Sequence, residues 1–223
     1  MNTNHRLGLD TACFFSLLMF GFIGVSKCHA IIETFDNDSD DGDWHLSTNP
    51  GELLVIEPTG GNPGAYLHGT VDASVPTWYV PMGTKTHFLG NFAKAGVAEM
   101  TFDIDIFAGS EVPDRAVTLD LKTTFGTGDF SKGVDAYYVG TDISHFPVGW
   151  QTYSYPLEAA SLTIPPGWVV TKGNGKPGTD ADWQALMQDV EILGVELGQP
   201  GYFYPDWIWD LGLDNVRFRR RHA

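Results

Sequence analysis

The sequence predicts an all-β protein: a two-sheet antiparallel sandwich with one short helix near Thr179–Asp189. Three observations carry this. Short apolar stretches recur along the chain, separated by turn residues. Two of the longer stretches alternate with period two, one face dry and one wet. Only one segment has helical spacing. The expected strands are Ile31–Phe35, Leu53–Glu57, Gly64–Val71, Thr77–Val80, Val97–Phe107, Ala116–Phe125, Val134–Val139, Trp150–Pro156, Val190–Leu197 and Asn215–Arg219. In Val97–Phe107, Met100, Phe102, Ile104 and Ile106 share one face, while Thr101, Asp103 and Asp105 share the other. In Ala116–Phe125, Val117, Leu119 and Leu121 alternate with Thr118, Asp120 and Lys122. For the helix, Thr179 is the cap, Asp180 and Asp182 suit its positive end, and Trp183, Leu186, Met187 and Val190 follow at helical spacing. A second short turn is expected around Thr86–Ala95. Many short strands with one helix define a two-sheet β architecture.

Residues 1–30 read as an export signal. Arg6 precedes an apolar run from Cys13 to Val25, and a short polar tail ends at Ala30. The run is shorter than the roughly 20 residues that span a bilayer, and no later segment is long and apolar enough to do so. Residues 31–219 then form the domain, followed by a basic tail, residues 220–223. Cys13 and Cys28 are the only cysteines and leave with the signal, so stability must come from packing, hydrogen bonds and a metal ion if one is held. Loss of Arg6, Lys27 and Asp10 leaves 11 of the 13 basic and 27 of the 28 acidic residues, a formal charge of −16. Such a surface repels nucleic acid and anionic lipid and tolerates divalent cations.

Two stretches carry a family resemblance. The first runs through Trp78-Tyr79-Val80-Pro81, Phe88-Leu89-Gly90-Asn91 and Met100-Thr101-Phe102-Asp103. The second runs through Asp182-Trp183-Gln184-Ala185-Leu186-Met187, Val190-Glu191-Ile192-Leu193-Gly194-Val195-Glu196 and Gly212-Leu213-Asp214-Asn215-Val216. Their order and spacing resemble the laminin IV type A domain, also called the laminin B domain. The opening Glu33-Thr34-Phe35-Asp36 through Trp44 is similar to the first strand of galactose-binding-like jelly rolls. The resemblance implies a jelly-roll sandwich in an extracellular setting. It also implies a structural cation between the first and last strands, held by Glu33 or Asp36 with Asp214. Fold alone does not settle function.

Two constellations invite chemistry. The run Asp36-Asn37-Asp38-Ser39-Asp40-Asp41-Gly42-Asp43 places oxygen ligands close together beside a glycine, as a Ca²⁺ loop needs. Its register departs from an EF-hand, so Asp38, Asp40 and Asp41 stand as the alternative to the cross-terminal set. An acidic solvated turn is the plain reading of the same residues. The second constellation is aromatic. Tyr153 and Tyr155 share a strand face, Tyr137 sits on another strand, and Trp207 and Trp209 crowd one loop with Tyr202 and Tyr204. Sugar C–H faces stack on such rings while nearby polar groups take the hydroxyls; packing between the sheets is the competing role. No nucleophile elbow, zinc motif or phosphate loop is present, and His45, His68, His87, His145 and His222 lack metal-ligand spacing. The expected function is therefore a secreted non-catalytic binding or adhesion module for a glycan or an extracellular partner. Behind it stand a purely structural matrix or envelope protein and, last, a glycan-active hydrolase using acids such as Asp103 and Asp105.

Overall fold

The computed structural model describes residues 31–36, 43–46, 53–111 and 114–221. The signal segment and the run holding Asp38, Asp40 and Asp41 lie outside the described residues. The strands are β1 (Ile31–Glu33), β2 (His45–Leu46), β3 (Leu53–Gly61), β4 (Gly64–Ala73), β5 (Thr77–Val80), β6 (Val97–Ala108), β7 (Ala116–Thr123), β8 (Val134–Asp142), β9 (Gln151–Pro156), β10 (Trp168–Lys172), β11 (Ile192–Leu197) and β12 (Trp207–Arg220). Two helices, α1 (Phe92–Ala95) and α2 (Asp180–Gln188), and a 3₁₀ turn at Phe130–Lys132 complete the described elements.

The strands form two antiparallel sheets. The first runs β3-β4-β12-β6-β9, with β1 pairing the far half of β12; the second runs β10-β8-β7-β11-β5-β2. Apart from the β3-β4 and β7-β8 pairs, neighbours are non-consecutive, which makes this a jelly-roll sandwich, as expected. The dry faces of the two alternating stretches behave as predicted, but the opposite faces are not wet throughout: Asp103, Thr118 and Asp120 are buried, because neighbouring strands and loops cover them. Met100, Phe102 and Ile104 from β6 and Val117, Leu119 and Leu121 from β7 are buried between the sheets. Each such side chain stabilises by about 1.5–3 kcal/mol.

Helix α2 forms because Thr179 and Asp182 make a reciprocal capping box: the Asp182 carboxylate accepts from the Thr179 backbone N–H at 2.8 Å, and Thr179 Oγ1 accepts from the Asp182 N–H. Its Trp183, Leu186 and Met187 are buried, as their spacing requires. The short turn near Thr86–Ala95 is α1, capped by Asn91.

Three elements differ from expectation, the first being β2 at His45–Leu46, which was not expected as a strand. The final strand begins at Trp207 rather than Asn215. Asp210, Gly212 and Asp214 mask its pattern, because their outward positions carry no apolar or β-branched residue. Strand β10 was not expected at all; Trp168 and Val170 are buried there, but the strand lies between Pro165-Pro166 and a Gly/Lys loop that read as irregular. Among the described residues, no helix is long and apolar enough to cross a membrane.

Candidate functional site

The outward face of the second sheet is hollowed into a groove of about 730 Å³. Because side chains alternate along a strand, β7 sends Thr118, Asp120 and Lys122 to this face. Strand β8 adds Asp135 and Tyr137. The registers Val169↔Tyr137, Tyr137↔Asp120, Asp120↔Gly194, Gly194↔Tyr79 and Tyr79↔His45 lay one continuous row across the sheet. In that row two tyrosines stand on either side of a carboxylate and a bare glycine. The His45 and Tyr79 rings lie 5.5 Å apart at the β2 end. A Cβ built on Gly194 would make only ordinary contacts, at 3.6 Å and beyond, so the floor is bare backbone at this point.

The floor is polar and fixed. Lys122 Nζ lies 2.7 Å from Asp120 Oδ2 and 3.4 Å from Asp135 Oδ2. Asp120 is only 5% exposed. Burial pushes its carboxyl well above the ordinary aspartate value, and the adjoining Asp135 adds to this. Burial likewise raises Glu196, with Lys122 pulling the other way. Burial opposes the charge on Lys122, but Asp120 and Asp135 outweigh it and hold its pKa above that of a free lysine. Asp135 Oδ1 is buried and has no hydrogen-bond donor in the protein. The groove thus offers two aromatic rings, Tyr79 and Phe130, in its lining and a polar floor.

Of the aromatics expected at a ligand site, Tyr137 belongs to this face, while Tyr153, Tyr155 and Trp209 do not. Tyr153 and Tyr155 point between the sheets and stack on Phe102; Tyr155 donates its hydroxyl to the Val117 carbonyl at 2.8 Å. Trp209 is fully buried and donates to the Ala73 carbonyl at 2.9 Å. These three are core residues, because the shared strand face read from their spacing is the inward one. Trp207 is 52% exposed, beside Phe203 at 95%, outside the groove. On the opposite sheet Tyr66, Phe107 and Trp150 also cluster, with ring centroids 5.2–6.3 Å apart, the two Trp150 pairs edgewise and the Tyr66–Phe107 pair tilted.

The cross-terminal acids meet at the β3–β4 hairpin. Asp214 accepts from the Asn62 N–H at 2.7 Å and the Asn215 N–H at 2.6 Å, and Asp36 accepts from the Ala65 N–H at 3.1 Å. Glu33 turns one oxygen to the Phe35 N–H at 3.0 Å. Burial raises Asp214 to about 6, and the charges of Asp103 and Asp36 add to it. A set of hard carboxylate oxygens suits Ca²⁺. Among the described residues no group of three or more His, Cys, Asp or Glu converges to hold a metal, so Asp36 and Asp214 supply at most part of a shell.

Asp120, Lys122, Glu196 and Tyr79 were not singled out from the sequence. Alternation had put Asp120 and Lys122 on the wet face of β7, where charges ordinarily serve solubility. Only the flanking of β7 by β8 and β11 turns that face into a groove floor.

No family model matches the sequence, and no curated protein does. Among solved structures, the chain is similar to the L4b domain of human laminin alpha-2. That likeness has a TM-score of 0.51 and 10% identity, and covers 87% of this chain and 98% of that domain. It also aligns with the family 11 carbohydrate-binding module of the Clostridium thermocellum cellulase Lic26A-Cel5E, at a TM-score of 0.46 and 12% identity, over 85% of this chain and 95% of the module. An exo-beta-agarase aligns at a TM-score of 0.46 and 17% identity over 85% of this chain, which spans 24% of that enzyme's length. At these identities the likeness is one of fold alone, the jelly-roll sandwich.

Proposed function

We propose that the protein is an exported, non-catalytic module that binds a glycan in the groove of the second sheet. The observation that carries this reading is the cross-strand row. Tyr79 lines a concave surface of ligand size together with Asp120, held by Lys122, and the bare backbone of Gly194; Tyr137 continues the same row just beyond that lining. The expected extracellular setting and the removal of residues 1–30 are part of the same proposal. Tyr79→Ala is expected to weaken binding to whichever polysaccharide the protein retains, by about 1–3 kcal/mol if sugar stacking resembles base stacking. Trp207→Ala should leave that affinity unchanged. Titration calorimetry of the three proteins checks this; a loss confined to Trp207→Ala moves the site to the Tyr202–Ile208 end of the sandwich. A second reading, adhesion to an extracellular protein, draws on the exposed apolar residues of that segment, Phe203, Trp207 and Ile208.

A structural Ca²⁺ at Asp36 and Asp214, with Glu33 beside them, remains a proposal supported by the crowding of like charges around Asp214. A cation bound only to the folded state adds about 2.7 kcal/mol at a hundredfold excess over Kd. Chelator should then lower the melting temperature, and Ca²⁺ should restore it better than Mg²⁺, which demands stricter geometry. Asp214→Ala should abolish that response if the cross-terminal site is right. Loss of the response in Asp40→Ala instead would assign it to the acidic run. A melting curve indifferent to chelator would remove the ion from the account.

A further inference from the structure

We infer that the groove accepts uncharged, hydroxyl-rich polysaccharide and turns away sulfated and uronate chains. This rests on reading the groove as a glycan site and adds the ligand class.

The charges lining the groove are Asp120, Asp135, Glu196 and Asp206 against Lys122 and Lys172. Neither lysine is free to receive an anion. Lys122 is held between Asp120 and Asp135 at 2.7 and 3.4 Å. Lys172 reaches away to Asp182 at 3.2 Å. An incoming sulfate or carboxylate would therefore meet four acids against two lysines, each lysine already engaged by a carboxylate. In a concavity with low-dielectric walls that repulsion is focused rather than screened.

The hydrogen-bonding inventory points the same way. Glu196 and Asp206 line the groove and, when ionised, only accept hydrogen bonds. A sugar hydroxyl donates to a carboxylate in a short, strong bond; a sulfate or carboxylate offers acceptors only and has nothing to give them. Between the acids the lining is apolar or bare backbone, at Tyr79, Ile192 and Gly194, which suits the C–H faces of sugar rings. The lining draws on five neighbouring strands, β10 to β5. Four interstrand spacings make about 19 Å, the span of a short run of sugar rings rather than one monosaccharide.

The test uses affinity electrophoresis of the full chain, cleaved as exported, in gels holding neutral agarose, mixed-linkage β-glucan, carrageenan or polygalacturonate. Retention by at least one neutral polymer is expected, with the anionic polymers at least about tenfold weaker at low salt. That gap should narrow at about 0.5 M salt, where charge interactions are screened. Glu196→Gln, checked for an unchanged melting temperature, should also narrow it. Asp206→Asn, at an exposed position, does the same without touching the packed floor. Carrageenan or polygalacturonate bound as tightly as the neutral polymers would overturn the charge rule while leaving the glycan reading standing. Retention by none of the four would overturn the glycan reading, and the ligand class with it.

Discussion

Replacing Trp209 by alanine is expected to cost the fold on the order of 3–5 kcal/mol, the range for a large buried aromatic. The indole has no exposed surface and donates to the Ala73 carbonyl at 2.9 Å. Phe146 packs on it with ring centres 5.6 Å apart. Gly109 leaves room for it: a Cβ there would lie 2.4 Å from the indole ring. The fully buried guanidinium of Arg115 sits over both the Trp209 ring, at 4.6 Å, and the Tyr204 ring, at 4.1 Å. Removing the indole therefore opens a cavity beside a buried cation that loses one of its two aromatic faces. Urea unfolding should give this loss for Trp209→Ala and less than about 1 kcal/mol for the half-exposed Trp207→Ala. Equal small losses would return Trp209 to the surface as a ligand residue.

Lys122→Met is expected to lower stability by about 2–3 kcal/mol at pH 7, somewhat under the value for breaking a fully buried pair because Lys122 keeps 30% of its side chain exposed. The substitution leaves Asp120, Asp135 and Glu196 facing one another with no cation. Asp120 and Glu196 already titrate above their ordinary values, and loss of Lys122 raises them further. A carboxyl whose folded pKa exceeds its unfolded value favours the folded state at low pH, and that contribution disappears as pH rises through the folded pKa. The variant's deficit should therefore shrink on acidification from pH 7 toward pH 5. A deficit that stays constant, or grows, on acidification would mean that the three acids are not crowded around this lysine.

The sandwich was legible because period-two alternation at Met100–Ile106 and Val117–Leu121 reports a buried face directly, and because Thr179 and Asp182 announce their helix locally. The candidate site was less legible, for a physical reason. Alternation says which residues share a face; it does not say which face looks inward when aromatics occupy it. Tyr153, Tyr155 and Trp209 could serve a core or a ligand equally well by size and polarity, and their strand pairing decided for the core. Tyr137 was named as a ligand candidate, yet its row partners Asp120, Gly194 and Tyr79 lie 17, 57 and 58 residues away in sequence. Such a row exists only through sheet register, to which a single strand's pattern is blind. Lys122 illustrates the same limit. On an isolated strand it is a solubilising charge; between β8 and β11 it neutralises a buried acid.

The claim that the groove is the binding surface is tested most directly by Gly194→Leu. The position is central in the floor, and a Cβ there meets only ordinary contacts, from the Asp120 Cβ and the Thr77 Cγ2 at 3.6 Å. The strand should therefore accept a side chain without strain, while the added isobutyl group fills the space a ligand would need. The measurement is calorimetric titration of wild type and variant with a polysaccharide the wild type retains, alongside their melting curves. The expected result is loss of measurable binding with the melting temperature unchanged. Wild-type affinity in a well-folded Gly194→Leu protein would contradict it and place the ligand elsewhere on the sandwich.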